Sequence, residues 1–458
     1  MPIRHKLPLP LCAAALAMIL TACGGDGADS RGPELVMHDV ATPEGNTGEQ
    51  RSLRFVASLS EATETPVRIR WSTVDGDAVA GEHYIADSGE TVIAAGERHA
   101  EIPVILIGND TEEAVRRFRL RLDSVDNARA FRSEAIGTIA NDDTSCLGGL
   151  PAGDNPWLAR SPISFAHRGG VREFPENTLY AYHRAAEAGS DVLEMDVYQT
   201  TDDELVILHD LTVDRTTDGS GDVGDFTLAE LKALDAAYWF VPGQGTTRDA
   251  EPGDYIYRGI ATGDRPPPPG FTANDFRIPT LDEALARFPD ELINVELKPD
   301  ADDTGNYEGN VARLLRDFGR FDDVMVASFV DTAAALFKLQ GACISTSVPL
   351  VQAAAVTLAS KGPLPMLPVP GHRAFQVPMD TSSVSQIPDA LQIEVVNQDF
   401  IDDAHAVGLA VHVWTIDDCP TMVELLEMGV DGIMTDRPLL LQQVLDQPEG
   451  EWSCDGVE

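Results

Sequence analysis

Basic residues are scarce in this 458-residue chain: 33 Lys and Arg stand against 75 Asp and Glu, a formal net charge of -42. Without a basic stripe to displace counterions, nucleic acid is excluded as a partner and docking on an anionic leaflet is disfavoured. The imbalance reads instead as a solvated acidic surface. Long apolar runs are missing as well. Past residue 20, no stretch reaches the roughly 18 uninterrupted apolar residues that a spanning helix needs. No G-x-S-x-G turn surrounds Ser328, so that serine is not a nucleophile candidate. What remains is 43% hydrophobic content, ample for buried cores, in a chain longer than one domain usually is. Two folded units are expected.

The first residues read as a targeting segment. Arg4, His5 and Lys6 form a basic head, and Leu7 to Leu20 an apolar run too short to span a membrane. The run ends in Leu20-Thr21-Ala22-Cys23, followed by Gly24-Gly25, which resembles the bacterial lipoprotein box. The resemblance implies removal of residues 1–22 and lipidation of Cys23, then a tether over 23–33. An exported lipoprotein of the cell envelope is the expectation, at the outer membrane or periplasmic face, anchored rather than threaded. Export brings oxidising conditions. Cys146 precedes the second domain and Cys454 follows it, so a closed barrel would bring them together as a candidate disulfide. Cys343 and Cys419 fall at opposite strand ends and are expected as free thiols.

From residue 34 to 143 the pattern is all-β. Leu53, Phe55 and Ala57 alternate with Arg54 and Val56, and Phe118, Leu120 and Leu122 with Arg117, Arg119 and Arg121. Period-two runs between Gly, Asp and Asn turns predict an antiparallel β-sandwich. Pro43-Glu44-Gly45, Trp71 to Ala78, Gly81-Glu82-His83-Tyr84 and Ile139-Ala140-Asn141-Asp142-Asp143 resemble a Calx-beta domain. That resemblance implies calcium at Glu44, Asp75, Glu113, Asp142 and Asp143. The run Glu113-Ala114-Val115-Arg116-Arg117-Phe118 departs from the family's Glu-Gly-Asp-Glu-x-Phe, however, and an arginine cannot ligate a cation. A spacer or adhesion module is the expected role.

Residues 144–160 read as a linker, and 161–446 alternate strands and helices, with a tail over 447–458. Strands are expected at Ser164–His167, Val192–Val197, Leu205–His209, Leu292–Leu297, Val324–Ser328, Leu409–Trp414 and Gly432–Met434. Ile344–Val348, Phe375–Val377 and Leu391–Val395 are further candidates, which makes more than eight. Asn177 is the expected cap of one helix, and capping boxes Thr227-x-x-Glu230 and Thr280-x-x-Glu283 open two others. The rhythm predicts a (β/α)₈ TIM barrel, interrupted over residues 240–277 by a Gly- and Pro-rich excursion that either roofs a site or decorates the surface.

Glu194 and Asp196 lie two apart on one predicted strand and so face the same way; Glu296 repeats that placement on a later one. Three carboxylates converging in a barrel mouth would repel one another unless a divalent cation, Ca²⁺ or Mg²⁺, sat among them. His167 and His209 end predicted strands at the same rim and form an acid–base pair. Arg168 and Lys298 offer positive charge to phosphate oxygens. His183, His372, His405 and His412 are expected in structural roles.

His167-Arg168-Gly169, Pro175-Glu176-Asn177-Thr178, Glu194-x-Asp196, His209-Asp210, Glu296-x-Lys298, Ser328-Phe329, Val413-Trp414-Thr415 and Gly432-Ile433-Met434-Thr435-Asp436 resemble the glycerophosphodiester phosphodiesterases, in family order over roughly 162–445. The resemblance implies hydrolysis of glycerophosphodiesters to glycerol 3-phosphate and an alcohol. Glu194, Asp196 and Glu296 would bind the metal, and His167 and His209 would move protons. Arg168 and Lys298 would hold phosphate, Glu176 would support the site beside the metal, and Phe329 and Trp414 would wall it. The alternatives are phospholipase D-like cleavage of lysophospholipids or sphingolipids, favoured by an apolar groove near Trp414 and the excursion, and an adhesion protein with an inactive barrel. Loss of a histidine or metal acid would mark the latter, and none is lost.

Overall fold

The computed structural model describes residues 33–111, 115–143, 150, 155–160, 162–299, 306–360, 366, 369, 371–381 and 393–457. The signal segment, Cys23, Glu113 and Cys146 therefore lie outside the described residues.

Alternation builds the first domain. In Val67–Trp71 and Phe118–Leu122 the apolar positions are buried and the arginines between them exposed. One sheet orders His99–Ile105, Ser52–Leu59, Glu34–Met37 and Arg129–Ala130; the other orders Val40–Pro43, Glu134–Ala140, Arg116–Asp126, Val67–Val74 and Ser88–Ile93. The core between them centres on Phe118, whose ring stacks on Tyr84 at 4.3 Å and meets Phe55 edge-on at 6.0 Å. Two pairings depart from the antiparallel expectation. The chain crosses between sheets at residues 38 and 39, so Glu34–Met37 runs parallel to Arg129–Ala130 and Val40–Pro43 parallel to Glu134–Ala140. The same crossing carries the sandwich onto the barrel. Ala41 joins the barrel's buried core, His38 Nε2 lies 2.9 Å from the Gly270 carbonyl, and Arg117 pairs with Asp290.

Eight parallel strands form the second domain in chain order: Ile163–Ala166, Val192–Gln199, Leu292–Leu297, Val324–Ala327, Ser345–Thr346, Ala374–Pro378, Ala410–Trp414 and Gly432–Thr435. A parallel bridge from Ser347 to Ala374 closes the ring. The surplus of expected strands resolves here. Leu205–Ile207 is no stave but pairs antiparallel with the end of Val192–Gln199. Of the candidate Leu391–Val395, whose first two residues lie outside the described ones, the rest holds an isolated bridge from Glu394 to Asp380. Both expected capping boxes are present. Asn177 is not a cap. Thr178 takes that place, its hydroxyl accepting from Ala181 N at 3.1 Å, and Asn177, at φ +55°, turns its side chain inward. Among the described residues no helix is long and apolar enough to cross a membrane.

The cysteine expectations are corrected. Cys454 is bonded to Cys419, not Cys146, with Cα atoms 5.8 Å apart. After the last helix, Pro438–Leu445, the tail doubles back and Gln447 holds Ser453 through both its amide atoms, which brings Cys454 to the first turn of Cys419–Met428. Cys343 is disulfide-bonded too, so neither expected free thiol is free.

Candidate active site

Parallel register sets the acids. Asp196 and Glu296 are direct neighbours across two adjacent strands, and Glu194 shares the face of Asp196 one pleat away. One oxygen from each of the three lies within 4.8 Å of the others. Burial and the facing Asp196 and Glu296 push the Glu194 carboxyl well above its usual range. Burial likewise raises Glu296, against the pull of Lys298. Burial would also raise Asp196, but Lys298 and Arg168 outweigh it and hold that carboxyl low. Lys298 Nζ reaches Glu296 at 2.7 Å and Asp196 at 3.2 Å.

This nest fits a divalent cation. Its oxygens converge, their mutual repulsion is only partly relieved by the lysine, and buried Asp196 Oδ1 has the Lys298 ammonium at 3.2 Å as an ion pair but accepts no aligned hydrogen bond. The other Asp196 oxygen is held by Asn177 Nδ2 at 2.9 Å, and Tyr182 OH donates to Asn177 Oδ1 at 2.6 Å. That relay is why Asn177 left the helix cap.

His167 begins a short turn after the first barrel strand. Arg168 follows at φ +53°, which aims its backbone N–H at Glu194 Oε2, 2.7 Å away. Its guanidinium meets Glu176 at 3.2 Å and Asp196 at 3.4 Å. His209 sits past the antiparallel excursion Leu205–Ile207 rather than on a stave, yet the fold-back still delivers it to the same rim. The two imidazoles are backed alike: His167 Nδ1 lies 2.5 Å from Asp436 Oδ1, and His209 Nδ1 2.7 Å from Asp210 Oδ1. Ionised carboxylates only accept, so each Nδ1 donates and each Nε2 is left as the working atom.

His167, Arg168, Glu194, His209, Glu296, Lys298, Phe329 and Trp414 line one cavity of about 700 Å³. Asp196 lies beneath its floor and Glu176 behind its wall, both almost fully buried. Phe329 and Trp414 meet edge-to-face at 5.3 Å. Opposite the charged groups the lining is uncharged and mostly apolar, with Val348, Leu350, Ala353, Ala354, Val377, Ile393 and Val395 beside the polar Ser347, Thr357, Gln376 and Thr381. The excursion stays on the other side, where Thr246 donates to Glu176 at 3.3 Å and Gly243 N bonds the Arg172 carbonyl at 2.7 Å.

Among the described residues the barrel acids are the only group of three or more that could hold a metal, and Glu113 of the expected calcium positions lies outside them. Glu44 is taken by Asn109 and Asn141, Asp142 accepts from Gly45 N, and Asp75 accepts from Tyr84 OH and Ala80 N. Sequence reasoning also missed residues of the barrel site. Asp436 was quoted only within a motif, and Arg215, which binds both Glu176 and Asp210, carried no signal beyond the need of buried carboxylates for a counter-charge.

A family model described as the glycerophosphoryl diester phosphodiesterase family matches residues 167–440, and a Calx-beta domain model matches 46–143. A glycerophosphodiester phosphodiesterase of Caldanaerobacter subterraneus is 30% identical over 278 residues, covering 60% of this chain and 94% of the relative. One from Bacillus subtilis is 29% identical over 289 residues, covering 62% and 86%. Among solved structures, the glycerophosphoryl diester phosphodiesterase domain of a Mycobacterium tuberculosis protein superposes with a TM-score of 0.50 at 22% identity. It covers 62% of this chain and 98% of that one, a likeness of fold.

Proposed function

From the premise that this chain belongs to the glycerophosphoryl diester phosphodiesterase family, we propose that it hydrolyses glycerophosphodiesters to glycerol 3-phosphate and an alcohol. The observation that carries the reading is the pair of carboxylate-backed histidines on one cavity with a three-acid nest and two cations. Glu194, Asp196 and Glu296 would hold one divalent cation, Ca²⁺ or Mg²⁺. Bound there, it supplies charge neutralisation and polarisation of a phosphate oxygen. Arg168 and Lys298 bind the nonbridging oxygens and orient the diester for in-line attack. One histidine Nε2 takes the proton from the nucleophile, water or the neighbouring glycerol hydroxyl, and the other gives one to the leaving alkoxide. Asp436 and Asp210 hold the two rings in the tautomer that this exchange needs.

A second reading has its own observation. Beyond the charged groups the cavity carries Val348, Leu350, Ala353, Val377 and Val395, a surface suited to an acyl chain, which favours lysophospholipids as further substrates. The exported, lipid-anchored location suggested by residues 1–23 is part of the proposal, and a Cys419–Cys454 disulfide supports an oxidising compartment.

The test is release of glycerol 3-phosphate from glycerophosphocholine by purified mature protein. Turnover is expected with Mg²⁺ or Ca²⁺, stops on chelation and returns when the cation is restored. An inert protein across a panel of cations and diesters would leave the adhesion-module reading standing.

A further inference from the structure

The best-connected charged side chain near the cavity is one that does not line it. Arg215 Nη1 and Nη2 grip the two Glu176 oxygens at 2.6 and 2.8 Å, while Nε and Nη2 reach the two Asp210 oxygens at 2.6 and 3.2 Å. Each carboxylate then passes a contact inward. Asp210 holds His209 Nδ1, and Glu176 holds the Arg168 guanidinium. With its donors directed at two protein carboxylates, Arg215 is turned away from any phosphate in the cavity. His167 has no such link, since its Asp436 is steadied by Asp417 through the Asp436 backbone N–H at 2.9 Å.

We propose that Arg215 is a positioning residue that locks the His209–Asp210 dyad and the Arg168–Glu176 phosphate grip into one unit. The planar guanidinium suits this task because its fork serves two carboxylates at fixed angles, which a lysine cannot do. Without it, Asp210 swings away from His209, and among the described residues Glu176 is left buried with Arg168 as its one cation and Thr246 as its one other hydrogen-bond donor. Proton transfer at His209 and phosphate binding at Arg168 therefore fail together, whereas His167 keeps its own support. The proposal rests on the phosphodiesterase reading for its kinetic consequences but not for its structural one.

The test pairs turnover of glycerophosphocholine with an NMR readout that needs no activity. Arg215→Gln is expected to lower kcat about 10- to 100-fold, the usual cost of losing an orienting partner, and to raise KM as well. Asp210→Asn, which leaves the Glu176–Arg168 grip in place, lowers kcat with KM nearly unchanged. The double variant falls little below Arg215→Gln alone, because both changes cut the same link. Additive losses, or an Arg215→Gln enzyme with wild-type kcat and KM, would overturn the proposal. If Arg215→Gln does not fold, the same cycle is run with Arg215→Lys, and additivity there overturns it equally. In the NMR spectrum, two downfield Nδ1–H signals are expected, one assigned to His209 by its loss in His209→Ala. Arg215→Gln should remove that signal and spare the His167 one; persistence of both sinks the idea even for an inert wild type.

Discussion

Along the wall of the cavity that runs from His167 to Lys298, each ionisable side chain is held by a named partner: His167, Arg168, His209, Glu296 and Lys298 by a side chain that can carry the opposite charge, and Glu194 by the Arg168 backbone N–H. Along the facing wall, from Ala327 to Val395, none of the lining residues is charged. The first wall is over-determined, because a buried charge without its partner is costly and each partner in turn needs holding. The second asks only for shape and apolar area, a non-directional requirement that many side chains meet. On the proposed function, chemistry is confined to one half of the mouth, and the other half is free to choose among substrates.

The largest expected effect tests the charged wall. Glu194→Gln removes one of the proposed cation ligands and should cut turnover by about a hundredfold or more on every substrate alike. Equal activity in wild type and variant would dissolve the distinction between the walls. A smaller, selective effect tests the apolar wall. Ala354→Trp places an indole in that half of the cavity, and turnover of a lysophosphatidylcholine should fall about tenfold or more relative to glycerophosphocholine. A parallel fall in both substrates would mean that the walls do not divide the work. The smallest effect lies just behind the charged wall, at Glu173, which accepts from Leu439 N at 2.8 Å. Burial pushes its carboxyl up to about 7. Its folded value lies above the unfolded one, so the folded chain holds the proton longer. Stability is highest below about pH 4.5 on this account and declines as pH rises towards 7. Denaturant midpoints followed across that window should fall more in wild type than in Glu173→Gln; identical slopes would refute the assignment.

The two walls also differ in how far they could be read from sequence. The charged wall was legible because ionisable residues must recur at strand ends with fixed spacing, as at Glu194, Asp196 and Glu296. The strands of the apolar wall were legible in part: Val324–Ser328 was expected outright, but Ile344–Val348 and Phe375–Val377, which hold Ser345–Thr346 and the middle of Ala374–Pro378, could not be told from surplus candidates. Ser345–Thr346 is a two-residue stave with neither alternation nor an apolar run, and Leu205–Ile207 has a strand's pattern yet lies outside the ring. Asn177 misled through a local rule, since a good capping residue was diverted to Asp196 by a long-range bond. Arg215 was invisible because an arginine in a loop declares its partners only once the chain is folded. Cys454 was mispaired because the tail's reversal depends on Gln447 and Ser453, contacts that no periodicity announces.

The Cys419–Cys454 bond has a bearing on the order in which the molecule is finished. Inside its 35-residue loop lie Gly432–Thr435, the strand that zips onto Ile163–Ala166, and the helix that follows. The second cysteine leaves the ribosome only after that zipping strand has been synthesised. The bond is therefore a time stamp. A chain stopped short of Cys454 would leave Cys419 without this partner, and the bond would mark the molecules whose final β/α unit has been made.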